Sequence, residues 1–282
     1  MSSPPTADQA EAAEQRKDPA FELALLSDVG TNRENNEDSC GHYVESPESV
    51  IFAVADGIGG YEGGEVASAM AIAVTIESYR ESPPAWGPSK RLHRAVQRAN
   101  IEIHNRALTV PELRRMGTTL TAAVVDAGVL HAAHVGDCRL YLIRRGKIRQ
   151  ITKDHTMVQE RVRMGLMSVD RARHHPERSA LTRSIGHELI VSVDRITLPL
   201  AQHDRLIVCS DGLHGVLQDR ELEQMVRDHG ADEACRRLVE IANQRGTADN
   251  LTVGVFTMLG ETAAVAAPRS IWQRLGGFFR RA

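Results

Sequence analysis

The chain has 282 residues, 42% of them hydrophobic and 25% charged, with a formal net charge of −3. That length and apolar content suffice for one substantial core, and the slightly acidic balance argues against a general nucleic-acid binder, which carries a basic excess. Four cysteines, Cys40, Cys138, Cys209 and Cys235, form no Cys-x-x-Cys pair, which argues against a disulfide framework or zinc ribbon and for a reduced, cytoplasmic protein.

No apolar run approaches the ~20 residues of a membrane helix, and the N-terminus lacks the basic and apolar regions of a signal peptide. Residues 1–19 are rich in Ala, Glu, Ser and Pro, which predicts a flexible leader before a domain spanning 20–259. A strand is expected over 21–27. The stretch 28–38 that follows is too dense in Asn and charge for a strand and reads as a loop. Residues 50–55 form a continuous apolar run, expected as a strand buried on both faces, and the run ends on Asp56 and glycines. A rigid strand then holds Asp56 at its tip, and Gly57, lacking a Cβ, lets a backbone carbonyl approach a cation.

A helix over 64–79 is apolar round most of its circumference and is predicted to be buried. After a break at 83–88, a second helix over 89–107 sets Leu92, Val96, Ala99 and Ile103 on one face. Two hairpins follow, 118–125 with 129–135 and 138–144 with 147–151. Residues 153–185 carry many Arg, His and Met with only short helical signals, as expected of an insertion over one end of the sheets. Strands are expected at 189–197, 205–210 and 251–259, with helices at 219–229 and 232–244. Hairpins and grouped helices without regular βαβ alternation predict an α+β sandwich in place of a doubly wound fold. Residues 260–282 read as an Ala-rich linker and a tail in which Ile271, Trp272, Leu275, Phe278 and Phe279 recur at helical spacing among four arginines. Such a cationic amphipathic pattern suits a membrane surface or a partner protein, and equally a tail folded onto its own domain.

Four carboxylates fall at strand edges: Asp56, Asp137, Asp211 and Asp249. Drawn from distant parts of the chain, they read as one oxygen-lined pocket of the kind magnesium and manganese prefer over nitrogen or sulfur sites.

With SDVGTNRENNED (27–38), VADGIGG (54–60), MGTTLTAAVV (116–125), HVGDCRLYLIRRGKIRQITKDHT (134–156), HHPERSALTRSIG (174–186), CSDGLHGVL (209–217) and GTADNLTVGVF (246–256) in this order, the chain resembles the PP2C-type (PPM) metal-dependent protein serine/threonine phosphatases in their compact bacterial form. The resemblance implies two face-to-face antiparallel sheets with helices on both outer faces, a four-layer α-β-β-α arrangement. It implies two catalytic Mn2+ or Mg2+ ions bridged by the attacking water or hydroxide. Asp56 would bridge the ions, the Gly57 carbonyl would bind one, and Asp211 and Asp249 would complete the set. Glu37 and Asp38 would hold ion-bound waters, Asp137 would help hold a weaker third ion, and Arg33 would clamp the phosphate. Asn250 would orient its neighbours. Residues 153–185 would form a flap against phosphoserine and phosphothreonine proteins, and the enzyme would oppose a cognate serine/threonine kinase.

Two departures bear on the leaving-group acid. Ile58 and Tyr61 stand where relatives carry histidine, so a metal-bound water or Tyr61 would serve as the acid; His155 of the flap is a separate substrate-side candidate. Gly215 also stands where some relatives place a carboxylate for the third ion. His155, His174 and His175 lack the compact spacing and cysteines of a zinc site. An aspartyl-nucleophile phosphatase needs a second Asp two residues on, where Ile58 and Leu213 stand, and Ser210 lacks the Gly-x-Ser-x-Gly elbow of a serine hydrolase. A catalytically dead phosphoprotein-binding module would have lost a core ligand, and none is missing.

Overall fold

In the computed structural model, residues 20–59 and 63–260 are described; Tyr61, the leader and the tail lie outside them. One sheet runs in the order β1 (Phe21–Asp28), β11 (Leu251–Met258), β10 (Arg205–Cys209), β7 (Arg139–Arg144), β8 (Lys147–Gln150). The other runs β2 (Asp38–Ser46), β3 (Ser49–Ile58), β5 (Leu120–Asp126), β6 (Val129–Val135), β9 (Asp194–Pro199), with β4 (Gly117–Thr118) pairing the end of β3. All these pairings are antiparallel.

Strand periodicity sorts the side chains into three cores. Val50, Phe52 and Val54 of β3 meet Leu206, Val208 and Phe256 of the opposite sheet, so this core lies between the sheets. Ile51, Ala53 and Ala55 point the other way, onto α1 (Gly63–Glu81) and α2 (Pro88–Thr109). On the far side, Ile207, Cys209, Val253 and Val255 pack under α5 (Asp211–His214), α6 (Asp219–Asp228) and α7 (Ala231–Gln244). The four-layer α-β-β-α order follows. The flap contributes only the short α3 (Met157–Arg163) and α4 (Val169–Arg173).

Three details differ from expectation. Residues 38–46 form an edge strand where none is expected; its alternation is masked because Gly41 holds no side chain, and a Cβ there would lie 2.7 Å from Ile72 of α1. The strand expected from 189 begins only at Asp194. Gln97 and Asn100 of α2 donate to the carbonyls of Val191, Glu188 and Leu189, taking acceptors that a ladder would need, and Leu189 and Ile190 are left exposed. Helix α1 is not buried all round, since Ala69 and Ala73 face solvent; alanine favours the helix without requiring burial.

Phe256 interlocks the sheets, stacking on Phe21 and Phe52 with centroids at 5.5 and 5.9 Å. Phe256→Ala should therefore lower unfolding stability by about 3–5 kcal/mol in urea titration. A loss below about 1 kcal/mol would mean that this contact does not hold the layers together.

Candidate metal centre

The pairing register delivers acidic side chains to one edge of the sandwich. Asp38 opens β2 and stands directly opposite Asp56 near the end of β3. From the other sheet, Asp211 follows the end of β10 and Asp249 precedes β11, while Asp137 lies in the turn from β6 to β7. Like charges facing each other across a strand pair destabilise it, so this placement is held by other bonds.

Those bonds are mostly backbone bonds. The Asp56 N–H donates to Thr119 Oγ1 (3.0 Å), and its carbonyl accepts from Thr118 Oγ1 and the Thr119 N–H, both at 2.8 Å. The Gly57 N–H donates to the Glu37 carbonyl at 3.1 Å. A Cβ on Gly57 would lie 2.1 Å from the Gly64 oxygen and 2.6 Å from the Glu37 oxygen, so only glycine fits. Ser210 ties the two sheets: its Oγ donates to Asp38 Oδ2 at 2.6 Å and accepts from the Thr252 N–H at 2.9 Å.

Asn250 accounts for the polar loop before β2. Its amide donates to the carbonyls of Val29 and Asn35, both at 2.8 Å, and its Oδ1 accepts from the Glu37 N–H at 2.9 Å. The loop is thus an ordered wall of the site, supported by Asn32 donating to the Thr247 carbonyl at 2.9 Å and Asn36 donating to Ser27 Oγ at 2.9 Å.

Electrostatically the cluster carries more negative charge than it can hold ionised. Burial, then Asp38, Asp211, Asp137 and Asp249, push Asp56 well above the usual carboxylate range. Burial also raises Asp38 to about 7, against the hydrogen bonds from Ser210 and Thr252, with Asp211 and Asp249 adding to the rise. Asp211 rises to about 6 through burial and Asp249, moderated by Arg178, Arg33 and Arg139. Asp137 is raised by burial, Asp211 and Asp154. Glu37, whose carboxyl packs against Gly64, is raised by burial while Arg33 opposes the shift. Arg33 reaches Asp249 with its Nη2 at 2.9 Å.

This donor set fits hard divalent cations. Asp211 Oδ1 is shut off from solvent without a hydrogen-bond partner, an oxygen lacking its positive neighbour. Among the described residues no three His, Cys, Asp or Glu side chains close into a ready cage. Magnesium-like ions retain several waters and need only one or two carboxylates each, so a wider spacing still suits them.

His155, expected on the substrate side, is instead buried at 3% exposure. Its Nδ1 accepts from the Gly136 N–H at 3.0 Å, its ring packs on His134, and burial lowers its pKa. A neutral ring filling the flap base satisfies that geometry better than contact with solvent. Sequence reading missed Ser210 as the tie between sheets, although its place beside Asp211 marked it, and did not single out Arg178 among the flap arginines.

Raised carboxylates stabilise the fold while protonated; that contribution is complete below about pH 4 and is lost as pH rises through about 6 and 7. A divalent cation bound among these carboxylates would take the place of those protons. The buried His134 and His214, lowered to about 4 and about 3, are neutral in the fold from pH 6 to pH 8, and their titration in the unfolded chain is common to both samples. The rise in Tm on adding Mn2+ should therefore grow by several degrees (~3–6 °C) between pH 6 and pH 8 in differential scanning calorimetry. An increment independent of pH would contradict the carboxylate cluster as the cation site.

The family model for Protein phosphatase 2C matches residues 30–255. The chain is 35% identical over 231 residues to the serine/threonine phosphatase stp of Listeria innocua, covering 80% of this chain and 92% of that one. It superposes on the Mycobacterium tuberculosis serine/threonine phosphatase PstP/Ppp with a TM-score of 0.78 at 36% identity, covering 85% and 99% of the two chains. It superposes likewise on the catalytic domain of PstP in complex with two manganese ions, with a TM-score of 0.76 at 34% identity and 85% and 99% coverage. The family model over 30–255, with relatives at 34–36% identity over most of the chain, makes this chain a member of the protein phosphatase 2C family of metal-dependent serine/threonine protein phosphatases.

Proposed function

We propose that the chain hydrolyses phosphoserine and phosphothreonine on proteins with two divalent cations held between Asp56, the Gly57 carbonyl, Asp211 and Asp249. The observation that carries this reading is the convergence of mutually repelling carboxylates with an unpartnered Asp211 oxygen. Such cations, when bound, generate a nucleophile from water at neutral pH and neutralise charge on the transferring group. A relative that holds two manganese ions supports Mn2+; Mg2+ accepts the same oxygen donors.

The chain's own groups divide the remaining work. Asp38 is fixed by Ser210 and can orient water beside Asp56, with Glu37 on the helix α1 side. Arg33 holds Asp249 through an exposed pair of the kind that contributes little, so its planar fork can exchange that carboxylate for phosphoryl oxygens. Asp137, facing Asp211 electrostatically, is the place for a weaker third ion. No covalent enzyme intermediate is needed. Tyr61, outside the described residues, stays a candidate donor to the leaving group.

Phosphoprotein substrates imply a kinase that makes them, and bacterial relatives support a bacterial-type serine/threonine kinase as counterpart. Four unpaired cysteines support action in the cytoplasm. Among the described residues no helix is long and apolar enough to cross a membrane. The cationic tail, residues 269–282, lies outside them, and its residue pattern supports a peripheral contact with a membrane or protein.

With a phosphothreonine peptide and Mn2+, Asp56→Ala and Asp249→Ala should each lower kcat/KM by about 10³-fold or more, as EDTA should for the native chain. Arg33→Ala should act mainly on KM, raising it by about tenfold. Near-native rates in either aspartate variant would sink the assignment of the site, and an unchanged KM would remove Arg33 as the clamp.

A further inference from the structure

A chain of polar contacts joins the root of the flap to the Asp137 side of the pocket. Arg139 stands two residues after Asp137 and makes every one of its strong contacts with a named partner. Its Nε lies 3.1 Å from both oxygens of Asp154, its Nη2 donates to Asp154 Oδ2 at 2.7 Å, and its Nη1 donates to the Tyr141 hydroxyl at 3.1 Å. Gln150 completes the carboxylate with a bond of 2.7 Å to Asp154 Oδ1. The pair is largely out of solvent, with Arg139 24% and Asp154 9% exposed. Burial alone would raise Asp154, but the charge and hydrogen bonds of Arg139, together with His214 and Gln150, hold it below the usual carboxylate value.

Asp154 is where the flap begins. The next residue, His155, exchanges two bonds with Gly136, the residue before Asp137: its N–H donates to the Gly136 carbonyl at 2.8 Å, and its Nδ1 accepts from the Gly136 N–H. The returning end of the flap closes on the same spot, with the Thr182 N–H donating to the His155 carbonyl at 2.8 Å and the Met157 N–H to the Ala180 carbonyl at 2.8 Å. On the other side, His214 Nε2 donates to the Asp137 carbonyl at 3.1 Å, and His214 ends the short helix that Asp211 begins. Two ties thus hold the flap root beside Asp137: the backbone and ring bonds of His155 to Gly136, and the Arg139 fork on Asp154, while His214 separately joins the Asp137 carbonyl to the helix that Asp211 begins.

We infer that Arg139 is a positioning residue, which seats the flap against the metal pocket through Asp154 and thereby sets how well phosphoprotein substrates, as opposed to small phosphate esters, are engaged. The inference rests on the proposed phosphatase reading for its substrate arm only. A flap carrying exposed Met164, Leu166 and Val169 beside its arginines offers surface to a protein chain that a small ester does not reach. The guanidinium's geometry matters more than its charge, because a lysine ammonium is a single point and cannot span Asp154 and Tyr141 together.

The test compares the full chain with Asp154→Asn, which keeps the shape and removes the charge, and Arg139→Lys, which keeps the charge and removes the fork. Hydrogen exchange is measured without added metal, and KM and kcat are measured with Mn2+ on a phosphothreonine peptide and on para-nitrophenyl phosphate. In both variants, exchange across residues 153–185 should accelerate about tenfold, the equilibrium factor for one charge-assisted hydrogen bond, while β10 and β11 keep native rates. KM for the peptide should rise by a similar factor, with kcat for the small ester within about twofold of native. Native flap exchange in Asp154→Asn, full rescue by Arg139→Lys, or acceleration shared equally by β10 and β11 would overturn the inference. Equal losses on both substrates would overturn it too. Should the native chain turn over neither substrate, the phosphatase reading falls, and the exchange comparison still decides whether Arg139 seats the flap.

Discussion

Mutual repulsion among Asp38, Asp56, Asp137 and Asp211, with Asp249 beside them, is the constraint on which the rest of the structure depends. Left to themselves these side chains would spread into solvent, where each is hydrated and screened. The fold keeps them together by mounting most of them on backbone that cannot move cheaply: β3 buried on both faces, the ends of β10 and β11 in mid-sheet, and the turn that carries the chain from β6 in one sheet to β7 in the other. Core packing thus supplies the restraint, and the strained charge makes the edge receptive to divalent cations.

Small polar side chains then convert restraint into geometry. Thr118 and Thr119 bond both backbone groups of Asp56, Ser210 bridges Asp38 to the other sheet, and Asn250 fastens the loop that carries Arg33 and Glu37. None of these residues needs to touch a substrate. Their contribution is to fix these oxygens in place, so that a cation seated as proposed would bind with little reorganisation.

Much of this was legible in the sequence, for physical reasons that differ by element. The apolar run at 50–55 read as a strand buried on both faces, while the carboxylate at its end, beside glycines, suited an ordinary Asp-Gly turn as well as a cation site. Asp211 and Asp249 repeated that signature. The edge strand β2 was hidden because edge strands alternate weakly and Gly41 leaves a gap filled by α1. Residues 189–193 looked like strand, yet side chains of α2 claim their carbonyls, a tertiary effect that no local pattern carries. His155 misled for a related reason: polarity suggested solvent, while the Gly136 backbone and the His134 ring supply its partners inside the protein. The reach of Arg139 to Asp154 likewise spans 15 residues and became visible only once β7 and β8 were paired.

The central claim is that this one sandwich edge seats two divalent ions. Anomalous diffraction at the manganese edge from crystals grown with Mn2+ tests it most directly. Two peaks ~3.5–4 Å apart are expected, with an Asp56 oxygen on each and Asp211 and Asp249 within coordination distance. Manganese absent from this edge, or bound as a lone ion away from Asp56, would contradict the account.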